Sequence, residues 1–178
     1  YAVAASVVGL IWVWVLDTQY GLINKYLNFL GIENVPWLTS TNWVLIGVSI
    51  ASIWWDLGLA FILFLAGLQD IPKDLIDSSK TDGANPLQRL IYVIVPYMRP
   101  VISMVITLQL IATLRIFSQI LVMTSGGPAG ASSSPIFYIY TTAIENQLFG
   151  YSSAVSIVLF LFILTLTALM RFAIRERL

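Results

Sequence analysis

The chain has 178 residues, 58% of them hydrophobic and 10% charged, and its nine basic and nine acidic side chains cancel. Soluble domains carry about 25% charged residues, so the composition excludes an ordinary water-soluble fold, and zero net charge gives no ground for nucleic-acid binding. With no cysteine and no histidine, the chain lacks thiolate chemistry, disulfides, most transition-metal sites and the commonest general base near neutral pH.

The apolar runs are too long and too continuous for alternating barrel strands. The expected class is therefore an all-α integral membrane protein. The chain opens at Tyr1, already inside an apolar run, with no initiator methionine, basic leader or cleavage site. That start reads as an internal cut with helices missing upstream. Four spans are predicted within one domain covering 1–178, at about 2–16, 43–68, 101–123 and 152–170. The first reads as the outer part of a longer span.

Lys73, Lys80, Arg89 and Arg99 fall between the second and third spans, and Arg171, Arg175 and Arg177 follow the fourth. Of the other two loops, 17–42 has only Lys25 and 124–151 has no basic residue. Positive residues favour the cytoplasm. The loop 69–100 and the C-terminus are accordingly expected inside, and the other two loops outside.

In the first outer loop, Ile23, Tyr26, Leu27 and Leu30 keep helical spacing and Gly31 reads as a stop. This predicts a short amphipathic helix on the outer interface, with Trp37 and Trp43 as belt aromatics. The second outer loop opens on "TSGGPAGASSSP". Ser134 and Pro135 read as cap and first residue of a helix through Gln147, ending near Gly150. Both outer helices can be read as plain connectors or as gates of an outer vestibule.

The inner loop has its own order. Pro72 suits a first helical turn, and Leu68, Ile71 and Leu75 share a face if the helix starts that early. Asp82-Gly83 predicts a stop. Asn85-Pro86 predicts the cap and start of a second helix, with apolar Leu87, Leu90, Ile91, Ile94 and Val95. Pro96 and Pro100 are expected to kink the chain where the third span begins.

Two ionisable residues fall within spans: Asp56 in "SIWWDLG" and Arg115 in "LQLIATLRIFSQ". Each costs about 2.5–3.5 kcal/mol at a helix centre, so such residues face a bundle interior or a wet cavity. They read either as a structural pair or as the lining of a polar pathway. Ser52, Asp56 and Leu59 share one stripe of the second span. Gln109, Thr113 and Ile116 share one on the third, beside Ala112, with Arg115 and Gln119 on another. Asp, Gln, Thr and Ser would meet the hydroxyls of a sugar, and Trp55 its flat C–H faces. Trp54, Phe117 and the fourth span read as ordinary packing. Ser118, Thr165 and Thr167 read as satisfied by backbone carbonyls.

The stretch "DLIDSSKTDGANPLQRLIYVIVP" resembles the EAA loop of ABC-importer permeases, whose pattern is Glu-Ala-Ala, three residues, Gly, nine residues, Ile, one residue, Leu-Pro. Asp77-Ser78-Ser79 stand at Glu-Ala-Ala, Asp82-Gly83-Ala84 at the glycine, and Val93, Val95 and Pro96 complete the spacing. Ser-Ser for Ala-Ala is the chief departure. "VMTSGGP" with "YIYTTAIENQLFGYSSAVS", and "YGLIN" with "PWL", resemble the carbohydrate-importer permeases of the maltose and glycerol-phosphate types.

That resemblance covers nearly the whole chain. It implies a polytopic bundle of the type I importer kind, about two further N-terminal helices, and a location in a bacterial or archaeal plasma membrane. It implies a non-catalytic permease subunit of a binding-protein-dependent carbohydrate importer. The partners implied are a second, similar permease, two cytoplasmic ATPases, an extracytoplasmic solute-binding protein and lipid. Asp77, Ser78, Ser79, Asp82, Gly83 and Ala84 would form the coupling element that sits in an ATPase cleft. The family's sugar contacts map near Ser52, Asp56, Leu59, Gln109, Ala112, Thr113 and Ile116.

No cofactor is expected in this chain. ATP and Mg would be held by the ATPases, because "SGGPAGASSS" lacks the lysine of a phosphate-binding loop. The alternative reading is half of a secondary transporter using Asp56 as coupling group. A membrane-embedded enzyme is the remotest, with neither His nor Cys and no paired carboxylates.

Overall fold

The computed structural model describes residues 2–175. Tyr1 and Arg177, used above for the chain start and the orientation, lie outside them. Among the described residues all regular structure is helical. In chain order it comprises α1 (Ala5–Val15), α2 (Leu22–Phe29), α3 (Val44–Gln69), α4 (Lys73–Thr81), α5 (Pro86–Arg89), α6 (Val95–Leu114), α7 (Ser118–Met123), α8 (Pro135–Tyr140) and α9 (Phe149–Arg175).

Three stretches are long and apolar enough to cross a membrane: Val44–Gln69, Pro86–Leu114 and Phe149–Phe172. The shorter apolar α1 has 11 residues, about 17 Å at the helical rise, and does not cross by itself. Helix α6 lies between α3 and α9, while α1 packs on α7. Small residues set the close approaches. A Cβ on Gly67 would stand 2.9 Å from Val101 Cγ2, and one on Gly9 would stand 3.3 Å from Val122 Cγ1. Large apolar side chains on the outer faces, such as Phe61, Ile62, Val158 and Phe160, are exposed, as lipid-facing residues are in a bilayer.

The outer loop after α1 is pinned by one residue. Asn24 is buried. Its amide donates to the carbonyls of Thr18 (3.0 Å) and Val35 (2.9 Å), and its oxygen accepts from Val35 N (3.1 Å) and Trp37 Nε1 (3.0 Å). Helix α2 ends as expected at Gly31, φ +79°. Gly31 N donates to Asn28 O and Ile32 N to Leu27 O, the paired C-terminal bonds of a Schellman motif.

The third span departs from expectation at its C-terminal end, and its start is marked by a widened turn. The second loop helix and the span are one continuous helix, Pro86–Leu114, with a π-helical turn at Leu90–Ile94. That turn falls just before Pro96, which has no N–H for a bond to Tyr92; the ladder widens there, and the helix continues. At its C-terminal end the expected single span 101–123 is broken. Helix α6 stops at Leu114, and α7 starts at Ser118.

The helix after Pro135 also differs. It passes into a π-helical turn at Thr141–Glu145, and the chain then reverses at Gln147, φ +58°. Gly150, expected near the stop, instead lies in the first turn of α9. On α9, Thr165 Oγ1 donates to Leu161 O at 2.8 Å as expected. Thr167 Oγ1 is buried with no hydrogen-bond partner.

Candidate functional site

The broken third span opens a cavity of about 640 Å³ between α3 and the 112–120 segment, closed on one side by Ser132–Pro135. Breaks in a membrane helix are tolerated where the freed backbone is buried in protein or lines a cavity. Both conditions hold here. Ser134 Oγ donates to Ile116 O at 2.6 Å, so the second outer loop caps the carbonyl that the break releases. The same oxygen accepts from Phe137 N at 3.1 Å and caps α8. One serine thus closes two helix ends. Phe137 then packs with Val48 and Ile120 in a buried cluster beneath the cavity. Gly126, φ +79°, leaves room for that ring, since a Cβ there would meet Phe137 Cε1 at 2.5 Å.

Of the residues expected along a solute pathway, Ser52, Asp56, Thr113, Arg115 and Ile116 line this cavity, as do Ala112 and Trp55. Leu59 and Gln109 do not. Gln109 Nε2 instead donates to Asp56 O at 3.3 Å and ties α6 to α3. Ser52 is buried, with its hydroxyl on Val48 O at 2.8 Å, and Thr113 bonds Gln109 O at 2.9 Å. Trp55 Nε1 donates to Val3 O at 2.9 Å, which orients the indole across the cavity wall.

The Asp56–Arg115 pair, one of the two readings of these charges, is not formed. Among the described residues the only salt bridge is Lys80–Asp77, at 2.7 Å. Arg115 sits at the last turn of α6 and is exposed to the cavity. The stripe expected to join it to Gln119 dissolves, because the two now belong to different helices. Sequence reasoning missed Ser132 and Ser134 as cavity residues. The Ser134 cap was legible, but nothing in its neighbours announced a bond to Ile116, eighteen positions earlier.

The hairpin of α4 and α5 is formed as its local sequence predicts. Helix α4 starts after Pro72 and closes at Asp82. Gly83, φ +79°, donates to Lys80 O and Ala84 N donates to Ser79 O, both at 3.0 Å, a second Schellman stop. Asn85 and Gln88 then form a reciprocal capping box, with Gln88 N on Asn85 Oδ1 at 2.8 Å and Asn85 N on Gln88 Oε1 at 2.9 Å.

Asp77, Ser78, Asp82 and Gly83 are exposed, while Ser79 is buried and Ala84 half-buried. Ser79 faces inward and bonds Ile76 O at 2.6 Å. Ile71, expected on the face of this helix, lies before its first turn and is buried; Leu75 is 39% exposed. The hairpin is fastened to the bundle by Tyr97, whose hydroxyl donates to Asp70 O at 3.3 Å.

Residues 1–176 match the family of binding-protein-dependent transport system inner membrane components. Among similar proteins, the sulfoquinovosyl glycerol transport system permease protein SmoG of Agrobacterium fabrum is 31% identical over 177 residues, 99% of this chain and 58% of that one. The trehalose/maltose transport system permease protein MalF of Thermococcus litoralis is 34% identical over 167 residues, 94% and 56% respectively. The chain therefore spans little more than half the length of these relatives. The crystal structure of a bacterial ABC transporter that imports the acidic polysaccharide alginate superimposes with a TM-score of 0.86 at 22% identity, covering 98% of this chain and 61% of that chain; it shows the same fold. On the family match, the carried-over loop pattern and the shared bundle, this chain belongs to the inner-membrane permease components of binding-protein-dependent transport systems.

Proposed function

We propose that the chain forms the larger part of one permease subunit of an ATP-driven importer of a carbohydrate or glycerol-phosphate-like solute. Its inner hairpin docks on a cytoplasmic ATPase, and the cavity at the broken third span belongs to the solute pathway. The observation that carries the reading is the hairpin: a capped helix, a glycine turn and a second capped helix, presenting Asp77, Ser78 and Asp82 outward. Such a unit has few soft torsions. The second helix runs without interruption into α6, so displacement at the hairpin tilts the cavity wall instead of being absorbed.

The remaining partners are a second, similar permease, two ATPases that bind ATP and Mg, and an extracytoplasmic binding protein. The C-terminus would lie on the cytoplasmic side with the hairpin. A complex with an alginate-pentasaccharide-bound periplasmic protein is known for a protein of this fold. Relatives are named for trehalose/maltose, arabinooligosaccharides and sn-glycerol-3-phosphate, which supports the solute class without selecting a member. No observation favours Asp56 as a coupling group in a secondary transporter.

Cross-linking tests the reading. In the full-length permease co-expressed with its neighbouring transport genes, Ser78→Cys is expected to cross-link to an ATPase subunit in membranes. Cysteine at Leu30, on the opposite side of the bundle, is expected not to. Equal absence of ATPase cross-links from both positions would refute the docking.

A further inference from the structure

We propose that the cavity selects a solute carrying a negative group, a carboxylate, sulfonate or phosphate, and that Arg115 is the residue that recognises it. The proposal rests on the cavity being part of the solute pathway and adds the charge of what passes.

The first ground is depth. Gln109 reaches the backbone of Asp56, which sets the level of α6 against α3. Arg115 lies six residues further out, about 9 Å along the helix. Leu45, Val48 and Ser49 of α3 still line the same cavity. Arg115, the C-cap of α6, therefore lies level with the N-terminal half of α3, inside the N-terminal end of that helix. A cation at that depth is retained where it has a counter-charge or a wet cavity.

The second ground is that the counter-charge is not in place. Among the described residues the guanidinium makes no salt bridge and no hydrogen bond, the only salt bridge being Lys80–Asp77. Asp56, the one acid in the cavity wall, is likewise unpaired. The C-terminal pole of α6 favours a cation at its last turn, but it occupies none of the five guanidinium donors.

The third ground is the company Arg115 keeps. Gln119 lines the same cavity, is 5% exposed, and makes no side-chain hydrogen bond among the described residues. The hydroxyls of Ser52 and Thr113 donate to their own helix backbone, so they present acceptor lone pairs. The cavity wall thus carries two side chains with free donors, Arg115 and Gln119, and one carboxylate, Asp56. A planar guanidinium whose donors are all unengaged is the chemistry that binds an oxyanion. A lone carboxylate is the chemistry that receives sugar hydroxyls.

The test uses the assembled full-length transporter. Ser118, on the cavity wall, is replaced by cysteine; residues 1–178 contain no other cysteine. Its modification is followed with two methanethiosulfonate reagents, one ending in a sulfonate and one in a trimethylammonium. Arg115→Gln is expected to lower the ratio of anionic to cationic labelling rates about tenfold, and Arg115→Lys to preserve most of it. In the unsubstituted Arg115 background, raising salt from 0.01 to 1 M is expected to lower the same ratio, a readout that does not depend on any Arg115 variant folding.

A ratio that is the same with Arg115 and with Gln, or insensitive to salt, would overturn the proposal. Either result would mean that an acid of the partner permease already neutralises the guanidinium. Binding-protein-stimulated ATP hydrolysis, measured alongside, reports separately on the permease reading. If it is present while the ratio is flat, only the charge assignment fails.

Discussion

At the scale of single residues, the most consequential hydrogen bond is the 2.6 Å contact from Ser134 to Ile116 O. It substitutes for the helical donor that the broken third span removes, and the same oxygen caps α8. Ser134→Ala leaves a part-buried carbonyl and a helix N-terminus uncapped together. Each loss is worth about 1 kcal/mol, so the solubilised protein should melt several degrees lower, whereas Ser134→Thr should melt close to the parent. Gln109 carries a different expectation from the one its position on a helical stripe suggested. Because its amide is engaged with Asp56 O across the α3–α6 contact, Gln109→Ala should cost about 0.5–1.5 kcal/mol of stability and leave the half-saturating solute concentration unchanged. A large rise in that concentration at unaltered stability would put Gln109 back in the pathway. Hydropathy made Asp56 and Arg115 visible as charges within apolar spans. That they face one cavity without meeting depends on a helix break that neither residue signals.

At the scale of elements, several stops and caps set by local chemistry were read correctly. The stops at Gly31 and Gly83, the caps at Ser134 and Asn85 and the helix at Lys73–Thr81 all rest on neighbours within five residues. Such features are legible because capping and left-handed turns have residue-specific chemistry. The elements that misled are those decided at a distance. "ATLRIFSQI" holds neither glycine nor proline, so a continuous span was the natural reading. The break persists because Ser134 and the Phe137 cluster, from another part of the chain, satisfy and bury what it exposes. Likewise the second loop helix and the third span are one helix, carried past Pro96 by the widened turn at Leu90–Ile94. That continuity joins the hairpin to the cavity wall. The helix expected to run through Gln147 and end near Gly150 instead stops earlier, with Gln147 itself left-handed, since glycine is the usual but not the only residue to adopt that conformation.

At the scale of the whole molecule, the bundle places a stiff hairpin at one end of α6 and a charged cavity at the other. The central claim is that motion imposed on the hairpin reaches the cavity. Gly83 and Gly31 allow that claim to be isolated. Both hold φ +79° at a helix stop, and at both an added Cβ would meet nothing within 4 Å. A valine at either site therefore meets the same backbone penalty, at least about 1–2 kcal/mol, without any clash. Only Gly83 lies in the hairpin. The decisive measurement is solute taken up per ATP hydrolysed in proteoliposomes of the full transporter, for Gly83→Val against Gly31→Val. The account predicts a severalfold fall in that ratio for Gly83→Val and a parental ratio for Gly31→Val; equal ratios in the two variants would contradict it.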